Sequence, residues 1–283
     1  MRTTQTRRSP DITEVFEHGI EAVGDPPQGL LRLATREPDL IYSGYTLAVV
    51  DRDGSSLNHR AALLFEVPVA HARRALYDEY DLRHCLLAAL YHLNRSIELY
   101  ADMARLFEET YPDTSVEGSG SDQRIYFEVD AFLVAARHLY DLIAKVLWKH
   151  YGREKSDQWL RIKTAIKSQD VIPTEFDAAL RNSWATSGEK VTAYRDCLLH
   201  YVPLTEEAST TVWMDRFDVR WGATVRLPSN PKANSRRAFD TRTSDVDAVS
   251  YCYGVLSELV GLCEKLVAQP EISAYIANPP SLD

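Results

Sequence analysis

From about Ala70 to Tyr111 the chain runs without a single glycine or proline. Leu76, Tyr80, Arg83, Leu87, Leu90, Leu93, Ile97 and Tyr100 recur through this stretch at intervals of three and four, the period that lays side chains along one stripe of an α-helix. About forty residues of helix span roughly 60 Å. An element of that length either bends or overhangs its own domain and offers a face to a protein partner.

A second helix is expected from Gln123 to Tyr151, with Ile125, Val129, Phe132, Ala136, Leu139, Ile143 and Val146 or Leu147 as its core stripe. The polar connection before it, Pro112 to Asp122, contains Gly118-Ser119-Gly120 but neither the third glycine nor the preceding strand of a dinucleotide loop. On the other side of the second helix Asp130, Arg137, Asp141 and Trp148 fall within about 40° of one another. That stripe reads as a solvated face with Arg137 paired to Asp141. The alternative sets Arg137 or Asp130 against the helix that carries Arg195.

Pro173-Thr174 with Asp177 marks a helix start, and Ser187-Gly188 a break before a short helix from Glu189 to Tyr201, which Pro203 ends. Thr210 to Leu227 alternates Val212, Met214, Phe217, Val219, Trp221 and Val225 with polar residues, which predicts a β-hairpin. Ser244 with Asp247 opens a last helix running to Ala268. At the amino end, Ser9-Pro10-Asp11 opens a short helix that Gly24 closes, and Leu40–Val50 and Ala61–Val67 read as two strands. The expectation is a mainly α protein: residues 1–68 form a small α+β appendage, and residues 69–283 a helical bundle with a hairpin insert at 209–242.

Composition narrows the chemistry. With 283 residues, 45% hydrophobic and 26% charged, the chain has the make-up of an ordinary globular protein. No apolar run approaches the length of a membrane span and no apolar stretch follows the basic amino terminus, which points to a cytoplasmic protein. Cys85, Cys197, Cys252 and Cys263 lie in apolar helical patterns with no Cys-x-x-Cys pair, so they are expected as buried thiols rather than zinc ligands or disulfides. His84, His92, His138 and His150 belong to no Glu-x-x-His pair of the di-iron type. No metal and no cofactor is expected. The net charge of -9 argues against coating nucleic acid through a global field. A local basic surface is available instead: residues 209–242 carry seven basic side chains against three acidic ones, a net +4. Arg216, Arg220, Arg226, Arg236 and Arg237 are its candidate phosphate contacts.

The chemistry-bearing stretch is Tyr194-Arg195-Asp196-Cys197-Leu198-Leu199-His200-Tyr201. Histidine shuttles a proton near neutral pH and arginine is a fixed cation, the two roles that RNA cleavage without a metal demands. In an ideal helix the two are offset by about 140° and about 7.5 Å along the axis. They can flank a groove but cannot converge on one atom, and a second copy across a two-fold axis would complete an acid and base pair. Asp196, four residues before His200, is placed to orient the imidazole and raise its pKa.

Two bundle helices, the second reading Phe127-Glu128-Val129-Asp130-Ala131-Phe132-Leu133-Val134-Ala135-Ala136-Arg137-His138-Leu139-Tyr140-Asp141, followed by Tyr194-Arg195-Asp196 through His200, resemble the HEPN superfamily over about residues 70–202. The resemblance implies a metal-independent endoribonuclease that works as a homodimer, with Arg195 binding phosphate, His200 acting as acid or base and Asp196 as their polar partner. It also implies a setting in stress response, toxin function or phage defence. Members that only bind RNA or a partner protein give the second reading, a catalytically inactive module. Asp196 stands where the family often has Asn.

Overall fold

In the computed structural model the described residues are 19–23, 30–34, 41–43, 48–50, 60–61, 64, 76–110, 116–119, 123–152, 161–167, 172–200, 210–215, 220–225, 227 and 248–280. The chain is mainly helical. Helix α1 (Tyr77–Thr110) covers most of the long periodic run, and α2 (Gln123–Leu147) follows it. Cys85 Sγ donates to the Ala135 carbonyl and His92 meets Glu128, so residue numbers rise on one helix as they fall on the other. The pair is antiparallel.

The core stripe expected for α2 is the one observed, with Ile125, Val129, Phe132, Ala136, Leu139, Ile143, Val146 and Leu147 all at most 1% exposed. Burying a side chain such as Phe132 contributes about 1.5–3 kcal/mol. The buried side of α1 is rotated from the expected one: Leu82, Cys85, Leu86 and Ala89 join Leu90, Leu93 and Ile97 inside, whereas Tyr80, Arg83 and Leu87 are only half-buried. Contact with α2, through Cys85 at Ala135 and His92 at Glu128, selects that face.

Helix α2 continues into a π-helical turn, Trp148–Gly152. After α3 (Ile162–Lys167) and α4 (Thr174–Ser183) a second π turn, Trp184–Gly188, leads into α5 (Glu189–His200). The break expected at Ser187-Gly188 is absent. Backbone angles at Ser183 and Glu189 are both helical, so the chain passes unbroken from α4 to α5. Helix α6 (Ala248–Val267) lies within the expected last helix, and a further helix α7 (Pro270–Ala277), with Pro270 in its first turn, was not anticipated.

Seven strands complete the described backbone: β1 (Gly19–Val23), β2 (Leu30–Ala34), β3 (Ile41–Ser43), β4 (Ala48–Val50), β5 (Val116–Ser119), β6 (Thr210–Asp215) and β7 (Arg220–Val225). Their order in the sheet is β4-β3-β2-β1-β7-β6-β5, each neighbour antiparallel. Strand β1 pairs with β7 from Ile20↔Ala223 to Val23↔Arg220. Gly19–Val23 is thus extended where a helix was expected. Leu40–Val50 holds two short paired strands in place of one, from Ile41↔Val50 to Ser43↔Ala48. Of the strand expected at Ala61–Val67 only Ala61 and Leu64 are among the described residues, and neither is extended: Ala61 is helical, as is Arg60 before it, and Leu64 lies in a turn. Arg60 is held by a two-pronged ion pair, Nε to Glu264 Oε1 at 2.8 Å and Nη2 to Oε2 at 2.7 Å.

Candidate functional site

Helix α5 carries the motif. Val191, Tyr194 and Cys197 face inward at no more than 1% exposure, and the Tyr194 ring meets Tyr251 of α6 edge-on at 5.7 Å. These anchors leave Arg195 half-buried, its side chain 24% exposed. Nη1 lies 3.1 Å from Asp196 Oδ1, while Nε is buried and has no hydrogen-bond partner. The Asp196 carboxylate therefore touches the guanidinium of its neighbour. His200 is the last residue of α5, and its side chain lies outside the described residues. So do Arg216, Arg226, Arg236 and Arg237; Arg220 opens β7, with only its backbone described.

The polar stripe of α2 is not the solvated face it resembles in the sequence. Arg137 is 6% exposed; its Nη1 lies 2.7 Å from Asp141 Oδ1, and its Cζ sits 5.6 Å from the centroid of the Trp184 ring. Asp141 Oδ1 also accepts the Ile162 amide at 2.9 Å. The Arg137–Asp141 pair holds as expected, but under the cover of α3 and the second π turn. Arg137 Nε, Asp130 Oδ1 and Trp148 Nε1 are buried without hydrogen-bond partners. Burial pushes the Asp130 carboxyl up to about 7, because a carboxylate loses hydration there.

Lys190, one turn before Tyr194, lies 4.9 Å from the Tyr251 ring centroid and 5.8 Å from that of Tyr194. Burial lowers its pKa. The only cue to this cluster in the sequence is the i,i+4 spacing of Lys190 and Tyr194 on a helix.

A second polar cluster lies at the other end of α2. Glu79, fully buried in the first turn of α1, accepts Lys149 Nζ at 2.8 Å and His150 Nε2 at 2.9 Å. Lys149 sits 4.4 Å from the Tyr275 ring centroid, and the His150 ring meets Tyr275 edge-on at 4.9 Å. Burial raises the Glu79 pKa, but the hydrogen bonds from His150 and Lys149, with the lysine charge, outweigh it and hold the carboxyl low. This cluster fastens α7 to the bundle. Next to it, Tyr151 donates to Glu271 at 2.8 Å.

All four cysteines are buried and free, as expected. Burial pushes Cys85 up to about 11 and Cys263 up to about 12, which keeps both as inert thiols. Among the described residues no group of three or more His, Cys, Asp or Glu is placed to hold a metal ion. Among them, too, no helix is long and apolar enough to cross a membrane. Compared with protein-family models, curated proteins and solved structures, the chain matches none.

Proposed function

We propose that this chain is a HEPN-like, metal-independent endoribonuclease of the cytoplasm, working as a homodimer on RNA in a toxin or phage-defence role. In this reading the helices form the HEPN-like bundle, and residues 1–68 and the 209–242 hairpin segment are additions to it. The observation that carries it is the state of Arg195. It projects from a firmly anchored helix, keeps 24% of its side chain in solvent and leaves Nε without a partner, as suits a cation kept for a phosphate.

The chemistry assigned to the site is transfer within the RNA backbone. The 2′-hydroxyl loses its proton to a base and forms a bond to phosphorus, the bond to the 5′-oxygen breaks, and that oxygen takes a proton from an acid. His200 supplies one of these proton transfers and its counterpart in the second copy the other. Arg195 holds the charge that builds on the phosphorane. Arg216, Arg220, Arg226, Arg236 and Arg237 would track the RNA backbone.

A second reading, an inactive module that binds RNA or a protein, draws on a different observation. Tyr91 at 61%, Phe127 at 57% and Val134 at 44% exposure are large apolar groups in solvent on α1 and α2, the sort of surface a partner covers. Incubation of the full chain with tRNA and mRNA in EDTA separates the two. The ribonuclease reading expects cleavage that Arg195→Ala and His200→Ala each abolish; an inert wild type leaves the binding module.

A further inference from the structure

The contacts that make α1 and α2 antiparallel also fix their register. His92 Nδ1 lies 2.7 Å from Glu128 Oε2, and Cys85 Sγ lies 3.3 Å from the Ala135 carbonyl oxygen, so Val129 is level with Tyr91. A residue that precedes an inward-facing one is turned about 100° from it, and in antiparallel neighbours the two turns go to the same side. Tyr91 before His92 and Phe127 before Glu128 therefore stand side by side. They are 61% and 57% exposed, and the Tyr91 ring is steadied edge-on against His92 at 5.3 Å. Ala131 and Val134, four and seven residues after Phe127, continue the apolar side along α2, and Val134 is 44% exposed.

This face is complementary to itself. His84 and Glu98 lie seven residues to either side of Tyr91, within about 20° of it around α1. On α2, Phe127 lies two residues before the level of Tyr91 and Ala131 two residues after it. A half-turn about an axis crossing both helices at that level exchanges the members of each couple. We infer that a second copy of this chain covers the face through such a two-fold axis. Tyr91 meets its counterpart, Phe127 fills the hollow over Ala131 of the second copy, and His84 donates to Glu98 of the second copy. The acceptor is already in place, because Arg95 Nη1 holds Glu98 Oε2 at 2.6 Å while 30% of the Glu98 side chain stays in solvent; His84 is exposed. Aromatic groups at the centre, with donor facing acceptor at the rim, are the make-up of a protein interface. Two helices over the fourteen residues from His84 to Glu98 offer a face about 20 Å on a side, which places the dimer in the small, readily dissociating class. The inference gives a face to the homodimer proposed above and draws nothing from the RNA chemistry.

Sedimentation equilibrium of the full chain from about 1 to 200 μM should show a monomer passing to a dimer, with Kd in the micromolar range. Phe127→Glu should remain monomeric throughout; the side chain is exposed in the single copy, so the variant keeps its fold, which circular dichroism checks. Leu106→Glu should dimerise as wild type does, since Leu106 is also 60% exposed but lies about 22 Å along α1 from Tyr91. His84→Glu and Glu98→Lys should each raise Kd at least about tenfold, and the double variant should return it to within about threefold of wild type. Residues 84 and 98 are about 21 Å apart on one helix, so that rescue can arise only between copies. The inference is overturned if wild type stays monomeric, if Phe127→Glu still dimerises, if Leu106→Glu abolishes the dimer as well, or if the double charge variant is no better than the single ones. A dimer that behaves as expected while RNA stays intact in EDTA removes the ribonuclease reading and leaves this face standing. RNA cleavage by a protein that dimerises with or without Phe127 does the reverse.

Discussion

Replacing Glu79 by Gln tests the idea that the ends of α1, α2 and α7 are joined by one buried charge. The carboxylate is fully buried and takes Lys149 at 2.8 Å and His150 at 2.9 Å. Lys149 has only 12% of its side chain in solvent. An amide keeps the shape and one acceptor oxygen but leaves the ammonium without its counter-charge. Breaking a buried ion pair from one side costs about 3–5 kcal/mol. The Tyr275 ring, 4.4 Å from Nζ, still solvates the cation and offsets up to about 2 kcal/mol. The expected loss is therefore about 3 kcal/mol at neutral pH, or about 6–12 °C in melting temperature for a chain of this size.

Guanidinium titrations and thermal melts of both proteins at pH 7 and below pH 4 give the numbers. The Glu79 carboxyl is held below its usual value of 4.5, so its contribution is complete above that value and is lost as pH falls through the folded-state pKa. The gap between wild type and Glu79→Gln should close in acid. A Glu79→Gln, Lys149→Met double variant should lose less than the two single variants combined, because the second change removes the stranded charge. A Glu79→Gln protein within about 0.5 kcal/mol of wild type at pH 7, or a gap that persists unchanged in acid, refutes the reasoning.

Gly188→Ala should cost about 1–3 kcal/mol in a denaturant titration, because the added Cβ runs into the Trp184 indole; an unchanged or higher midpoint contradicts that contact, since helix propensity alone favours Ala by about 1 kcal/mol. Asp130→Asn should gain stability relative to wild type as pH rises. The Asp130 carboxyl titrates at about 7 against 3.8 for an ordinary one, so the folded state holds the extra proton and wild type loses stability between those values. Parallel melts at pH 4 and pH 8 check the sign, and a constant difference between the two proteins rules out a raised Asp130.

Where periodicity was long and unbroken the sequence read well. Every residue of the α2 core stripe from Ile125 to Leu147 is buried as its spacing demands. Short elements were less legible because distant partners decide them. Gly19–Val23 is extended through its pairing with β2 and β7, and no local pattern of five residues encodes that. The apolar stretch from Ala61 suits strand or helix equally; its start is pinned by Arg60 reaching Glu264, more than two hundred residues away. At the site, Arg195 and Asp196 were legible as residue types. The burial of Asp130 and Arg137 was not, since a charged stripe looks the same whether water or another helix covers it.

The two π turns share a plan, tryptophan first and glycine last, Trp148–Gly152 and Trp184–Gly188. A π turn spends an extra residue on each circuit without interrupting the rod. Downstream of Gly188 every side chain is thus clocked around the axis relative to those upstream, and the direction in which Arg195 points is set at Trp184. Deleting one residue between them would keep the arm helical and swing the guanidinium to another compass bearing, roughly a quarter turn away. The orientation of Arg195 is thereby written in an indole and a missing methyl group, two turns ahead of it.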